Sequence, residues 1–595
     1  MLIAVKLLPM QFQKSHRIDS FSERAAKYFA LAGPIELFAV TTFWALIIVL
    51  NILSVLHQRF NTDEPAHLHI MWAWTQGQIQ YRDVFSNNMP LFHLLFAPIV
   101  ALLGERATIL YWMRFILLPT YFITAWCTYK IAARLFSRRA GIWAVIGLSL
   151  YGGYRNFAFQ FRADNLWTAL WLLCVLALIS RAIDFRRTLV AGLLFGLCFA
   201  ISMKSIVLLM TLFLSAAVLL LATKYNKIDM WPRKLPGIAT AFLGATALPS
   251  AAIMLFFAWN GVWRDFEYGV FDYNLLAERV YRNKVLFHSN RIYAIVGFAT
   301  VLVVCALAAR WVVRNSRDVN LATLRTFVLL LCSIYFFALH FFWPPISRTY
   351  LPNFPLAFAL TSGALFTLSN RLTALKSHDT RIYGQVSLTI VVALAEVAFL
   401  MAKPNFWKDE SRPETNLIRS VVALTGRDEP VLDCKGETIF RSRAFRPALE
   451  RIEMMQIEKG LAIDNAAERC IETQTHVVAT LFSARFSPRT REFIQANYLP
   501  VGDGLSVVGK ILHPSADDFR RADFDILISA PYEIVAREGA VAGLLDGTFY
   551  TGARFLAPGR HTFTETSNAH DLVALWAQAA DRGFVARFKK IPPSL

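Results

Sequence analysis

Long apolar runs separated by short basic connections fill the chain up to Lys403. The runs reach or approach the ~20 residues that carry a helix across a bilayer. They place spans near 35–57, 107–130, 140–153, 165–180, 188–203, 205–222, 236–259, 293–312, 325–342, 350–369 and 386–402. That is about eleven membrane helices, judged by span length. One run, Leu189 to Ala222, is almost wholly apolar and is interrupted by Lys204. It reads as two short spans with a tight turn at Lys204. Alternatively Lys204 lies within a span and faces a polar cavity, since a lipid-facing charge is costly. The stretch Asn88 to Glu105 is apolar but short for a span, and reads as a juxtamembrane or partly re-entrant helix.

After Lys403 the period changes. Short β-prone pieces such as HVVATLF and LSVVGKIL alternate with helical ones such as SPRTREFIQAN. The pattern predicts a soluble mixed α/β domain over 403–514 and a β-rich subdomain over 515–595. The fold class is therefore a polytopic α-helical membrane protein (membrane domain 35–402) with a C-terminal soluble mixed α/β domain.

Composition agrees with that division. Over 595 residues, 56% are hydrophobic and the mean hydropathy is +0.43, too apolar for a soluble protein of this length. The net charge of +19 raises nucleic acid as a partner, but no basic domain stands apart. The Lys and Arg residues instead punctuate the apolar runs, as topology signals do. Arg134/Arg138/Arg139, Arg181/Arg186/Arg187, Lys224/Lys227/Arg233/Lys234, Arg310/Arg314/Arg317 and Arg371/Lys376/Arg381 fall on one side, which the positive-inside rule makes cytoplasmic. The basic stretch 1–34 reads as a cytoplasmic leader before an uncleaved first span. An odd span count then puts the C-terminal domain outside the membrane, with long outer loops at 58–106 and 260–292. Five cysteines lie in apolar runs as packing residues; Cys434 and Cys470 lie in the outer domain and can pair if that compartment is oxidising.

The chemistry-bearing residues gather where the first span ends, in RFNTDEPAHLHI (Arg59 to Ile70). Asp63 and Glu64 there have three readings. Thr62 or Asp63 caps the following helix, whose dipole favours acidic residues. Or the pair holds a metal together with His67 and His69, although His-x-His after an upstream Asp-Glu is a loose pattern. Or a carboxylate acts as a base toward a hydroxyl nucleophile. His93, on the proline-led helix after Pro90, reads as a packed or hydrogen-bonded histidine.

Four ordered stretches carry a family resemblance. They are the loop from Asp63 through Gly104, FRADNLW (Phe161 to Trp167), GLLFGLCFAISMKS (Gly192 to Ser205) and RTYLPNFPLAFAL (Arg348 to Leu360). In this order the chain resembles the GT-C membrane glycosyltransferases, especially dolichyl-phosphate-mannose-protein mannosyltransferase-like and aminoarabinose-transferase-like proteins. The matching pieces are a carboxylate after the first span, a G-x-x-Y-x-D-like stretch at Gly77 to Asp83, an Arg-x-Asp at Arg162 to Asp164, and Lys204 closing a Gly-rich span. One departure is Asn87-Asn88-Met89-Pro90, where the family carries a Lys-Pro-Pro-like sequence.

The resemblance implies a membrane glycosyltransferase, hexosyl or pentosyl, of the bacterial cytoplasmic (inner) membrane. It implies transfer from a polyprenyl-phosphate-linked sugar donor to an extracytoplasmic glycan, lipid or protein acceptor, with inversion at the anomeric carbon. Asp63 is then the expected base, with Glu64 and Asp164 as further catalytic carboxylates. Lys204, Arg348, Arg282 and Arg264 are candidates for the donor phosphate. Arg162, Tyr81, Asp83 and Tyr350 are candidates for positioning acceptor or sugar. Some members use a divalent metal ion and others do not, so metal dependence stays open, with Glu64, His67 and Asp164 as the candidate ligands. Two other functions remain in view. A transporter or lipid flippase would gather its polar residues at the midplane of related halves. A non-catalytic sensor or scaffold would act through residues 403–595.

Overall fold

A computed structural model describes residues 34–179, 184–226, 235–276, 291–342, 347–372, 378–402, 408–516, 518–567 and 570–586. Each span expected from the apolar pattern falls on a helix. In chain order the membrane domain runs α1 (Pro34–His57), α2 (Asp63–Thr75), α3 (Leu91–Leu103), α4 (Ile109–Leu135), α5 (Arg138–Leu150), α6 (Gly152–Ala158) and α7 (Ala163–Ile179). It continues with α8 (Phe185–Ile201), α9 (Ser205–Tyr225), α10 (Leu235–Trp259), α11 (Trp263–Glu267), α12 (Arg291–Arg314), α13 (Val319–Phe342), α14 (Phe354–Leu372) and α15 (His378–Met401). Six of these, among the described residues, are long and apolar enough to cross a membrane by themselves. The pair α6 and α7, bent by 113° at a short break, makes a seventh candidate. Large apolar side chains such as Phe38, Phe122, Leu255 and Phe399 are exposed on the outside of the bundle, as lipid-facing positions require.

Local chemistry sets several of the breaks. Ser137 accepts a hydrogen bond from the Ala140 amide (3.1 Å) to start α5, and Asp184 accepts one from the Arg187 amide (2.9 Å) to start α8. The Gly-rich span has a packing reason. A Cβ at Gly192 would stand 2.5 Å from the Phe242 carbonyl oxygen, and one at Gly196 2.6 Å from that of Thr246. Only glycine lets α8 and α10 approach this closely. Lys204 lies at the turn between α8 and α9, and its side chain also lines a cavity, so both features considered for it occur.

The C-terminal part opens with α16 (Arg412–Leu424) and then forms two sheets. The larger sheet has β1 (Val431–Leu432), β2 (Val477–Ala479), β3 (Tyr498–Gly502) and β4 (Leu505–Ile511). The later segment supplies β5 (Arg521–Ile526), β6 (Ala530–Glu538), β7 (Gly543–Leu545), β8 (Thr548–Phe549), β9 (Arg554–Leu556), β10 (Gly559–Glu565) and β11 (His570–Trp576). The larger sheet is ordered β1-β2-β4-β11-β6-β9, with β3 also on β4; the smaller is β5-β10-β7-β8. Because β11 pairs with β4, strands after residue 515 complete the sheet begun before it, and one hydrophobic core runs from Leu417 to Ala586. All seven cysteines are free. Cys434 and Cys470 do not pair. Both are buried, and the Cys434 thiol donates to the Phe482 carbonyl oxygen at 3.3 Å.

The two parts are joined by more than a linker. Ile418, Ile439 and Phe440 of the C-terminal part are buried in the same hydrophobic cluster as Phe60, Leu68 and Met71 of the first loop. Ion pairs reinforce the contact: Arg59 with Glu414 at 3.2 Å, and Arg441 and Arg427 with Glu105 at 2.9 and 3.1 Å.

Candidate active site

Four backbone breaks converge on one cavity of about 410 Å³. Asp63 opens α2, Arg162 and Asp164 sit at the bend between α6 and α7, Lys204 at the turn before α9, and Arg348 on the short 3-10 turn Ser347–Tyr350. The start of α2 is fixed locally. Thr62 makes no side-chain cap; instead Asn61 Oδ1 accepts from the Asp63 amide at 3.0 Å and Glu64 Oε1 accepts from the Asn61 amide at 2.8 Å.

Arg162 ties the two carboxylates together. It donates to Asp63 Oδ2 and, at 3.1 Å, to Asp164 Oδ2. Arg348 also donates to Asp63 Oδ2, at 3.0 Å, while Lys204 pairs with Asp164 Oδ1 at 2.7 Å. Burial by itself would raise the Asp63 carboxyl, but Arg162, Lys435 and Arg348 hold it well below the usual carboxylate range. His67 also lines the cavity, with Nδ1 2.9 Å from His93 Nε2. Its own burial, with the nearby Arg162 charge, pushes its pKa down to about 3, so the ring is neutral.

Lys435, carried by the C-terminal part, was not visible from the sequence pattern. Its Nζ bonds Asp63 Oδ1 and lies 2.6 Å from Glu450 Oε1. Arg443 and Glu450 of the same part also line the cavity. Arg443 is neutralised by Asp433 at 2.6 Å. The remaining charges are Arg162, Lys204, Arg348 and Lys435 against Asp63, Asp164 and Glu450, a surplus of one positive charge. Arg348 Nε has no hydrogen-bond partner among the described residues. The same cavity also has an apolar lining, with Ile206, Val207, Val270, Leu275 and Leu339. A second, polar cavity of about 660 Å³ meets the first at Asp63, Arg348, Lys435 and Glu450, and adds Thr62, Arg451, Glu458 and Arg485.

Other candidates lie elsewhere. Glu64 is fully buried against Arg114, accepts from the Phe161 amide at 2.8 Å, and does not line the cavity. Glu64, His67 and Asp164 are therefore not gathered as ligands, and no group of three or more His, Cys, Asp or Glu among the described residues is arranged to hold a metal ion. Tyr81 is buried beneath Phe257 and Phe266 and donates to the Asn88 carbonyl at 2.6 Å. Asp83 accepts from the Ile79 amide at 2.7 Å and pairs with Arg82. Tyr350 places its hydroxyl 3.1 Å from His340 Nδ1. None of these three lines the cavity, and neither does the exposed Arg264. Arg282 lies outside the described residues.

Residues 87–260 match the sequence model of the dolichyl-phosphate-mannose-protein mannosyltransferase family. The resemblance to the GT-C membrane glycosyltransferases holds across that segment. No curated protein matches the chain. Among solved structures, ArnT from Cupriavidus metallidurans in the apo state aligns at 10% identity and a TM-score of 0.46, covering 79% of this chain and 97% of that one. The same protein bound to undecaprenyl phosphate aligns at 12% and 0.41, covering 89% and 98%. The Archaeoglobus fulgidus oligosaccharyltransferase tethered to an acceptor peptide aligns at 11% and 0.42, covering 80% and 73%.

Proposed function

We propose that this protein is a membrane glycosyltransferase that moves a sugar from a polyprenyl-phosphate-linked donor to a hydroxyl-bearing acceptor outside the cytoplasmic membrane. The observation that carries this reading is the cavity itself. It sets the buried Asp164, the half-buried Asp63 and a net positive charge in one cavity with apolar side chains, within a bundle whose 87–260 segment matches a mannosyltransferase family. A polyprenyl phosphate has the complementary parts: an apolar tail and an anionic head. The head faces Lys204 and Arg348, where charge-assisted contacts stabilise the negative charge that develops on the leaving phosphate. The acceptor reaches Asp63 through the polar second cavity. Asp63, ionised by its three cations, takes the hydroxyl proton. Attack opposite the phosphate inverts the anomeric carbon. Asp164 holds Lys204 and Arg162 in place for the phosphate.

The test uses purified protein in lipid with a panel of radiolabelled polyprenyl-phosphate sugars and membrane extract as acceptor source. Transfer by the wild type that disappears in a folded Asp63→Asn variant supports the reading. Equal transfer by both removes Asp63 as the base.

A further inference from the structure

The C-terminal part does not merely rest on the bundle; it inserts a charged side chain into the cavity. The loop that does so is built for rigidity. Asp433 accepts from the Gly436 amide at 2.9 Å and from the Thr438 hydroxyl at 2.8 Å. Glu437 accepts from the amides of Cys434 and Lys435, at 2.9 and 2.7 Å. Ile439 holds φ at +59°, a strained conformation for a β-branched residue, and its carbonyl accepts from His69 Nδ1 at 2.9 Å. Strain of this kind persists where surrounding contacts over-determine it. The result is a fixed turn with Lys435 at its tip, its side chain only 12% exposed.

The position of Lys435 conflicts with the role proposed for Asp63. Oδ2 of Asp63 is already shared by Arg162 and Arg348, and Lys435 occupies Oδ1. A carboxylate bound by three cations is a weak proton acceptor. The cavity also carries one more positive than negative charge, so an incoming anion has a cation to recruit. Lys435 is suited to that move. A lysine is a point charge on a flexible stem, whereas Arg162 is locked between two carboxylates.

We infer that Lys435 is the cation that a donor phosphate draws away from Asp63, so that donor binding frees Asp63 Oδ1 to act as the base. This inference rests on the glycosyltransferase reading above. In the step, the acceptor oxygen bonds to the anomeric carbon and its proton passes to Asp63 Oδ1. The bond from the anomeric carbon to the phosphate oxygen breaks, and its electron pair leaves with the polyprenyl phosphate. Lys435 Nζ meets the charge gained there. The active site is then complete only with the C-terminal part in place.

The experiment measures binding of undecaprenyl phosphate to the full chain in lipid nanodiscs, with undecaprenol as the uncharged control. The wild type is expected to prefer the phosphate. Lys435→Met is expected to bind it roughly tenfold more weakly or worse, the effect of losing one charge-assisted contact. Lys435→Arg should restore most of the binding. Glu450→Gln removes the competing carboxylate and should tighten binding, and this gain should vanish beside Lys435→Met, a dependence on Lys435 that the loss of one cavity carboxylate does not give by charge alone. If Lys435→Met fails to fold, Glu450→Gln alone decides: unchanged or weaker binding overturns the inference. Wild-type and Lys435→Met proteins that bind the phosphate equally well also overturn it, while leaving the glycosyltransferase reading standing. A wild type with no preference for the phosphate over the alcohol removes both.

Discussion

Arg114 takes both carboxylate oxygens of Glu64, at 2.7 and 2.8 Å, with neither side chain exposed. The same guanidinium donates to the carbonyls of Val55, Gln58 and Arg59, and stacks 4.0 Å over the Phe60 ring. One buried ion pair thus joins α4 to the end of α1 and the start of α2. Removing one member strands the other charge in the interior, which costs about 3–5 kcal/mol. Glu64→Gln and Arg114→Met are each expected to lower the melting temperature in detergent sharply. A Glu64→Gln variant that melts with the wild type but no longer transfers sugar would return Glu64 to the chemistry.

Asp63, the neighbouring residue, behaves differently. Removing its charge takes away the proposed base while leaving Arg162, Arg348 and Lys435 facing the cavity. Asp63→Asn is expected to slow transfer by about 10²–10⁴-fold, the usual range for a general base. It should bind polyprenyl phosphate at least as tightly as the wild type, because the positive surplus grows by one. Binding and single-turnover transfer on the same preparation check both halves. Weakened phosphate binding would contradict the charge argument.

The contrast between these two residues shows what the sequence can and cannot convey. Apolar runs of near-bilayer length specify helices by themselves, so each expected span falls on a helix, whereas the short α6 and the polar α11 do not follow from that pattern. Adjacent positions on a helix point about 100° apart, by the 3.6-residue turn. Asp63 and Glu64 must therefore face different surroundings, but nothing in DEP says which one faces the cavity. Arg114 decides it from another helix. Tyr81 and Asp83 matched a family pattern, yet here they close the turn between α2 and α3. Lys435 stands further from view. Its role depends on docking against a residue 372 positions earlier. Its local sequence, DCKGET, offers only a charged turn with a glycine.

That glycine is a point of contact. Gly436 has φ of +97°, and a Cβ there would lie 2.8 Å from the His69 Cβ. The substitution Gly436→Ala therefore meets both a backbone penalty and a collision with α2. It should cost about 1–3 kcal/mol and lift the Lys435 loop off the bundle. Limited proteolysis is expected to cut between the membrane and C-terminal parts more readily in this variant. Transfer activity should fall with it. Unchanged proteolysis and activity would show that the loop tolerates the displacement and that Lys435 is not held by this contact.

The loop also carries a titratable group with a calculable sign. Glu437 is buried, and burial together with the Asp433 charge raises its pKa to about 7. A folded pKa above the unfolded value means that the stabilising contribution is present below the usual carboxylate range and is lost as pH rises through about 7. Alkaline pH should therefore loosen the turn that presents Lys435, because an ionised Glu437 would sit beside ionised Asp433. Hydrogen exchange at the amides of Cys434 and Lys435, which Glu437 accepts, is the direct readout. After correction for the intrinsic pH dependence of exchange, their protection should fall progressively between about pH 4.5 and about pH 7 and level off above that. In Glu437→Gln, which cannot ionise, protection should be independent of pH over the same interval. Protection that instead rises with pH in the wild type would mean that ionisation of Glu437 strengthens its hold on the two amides, and that the turn is held by its charge.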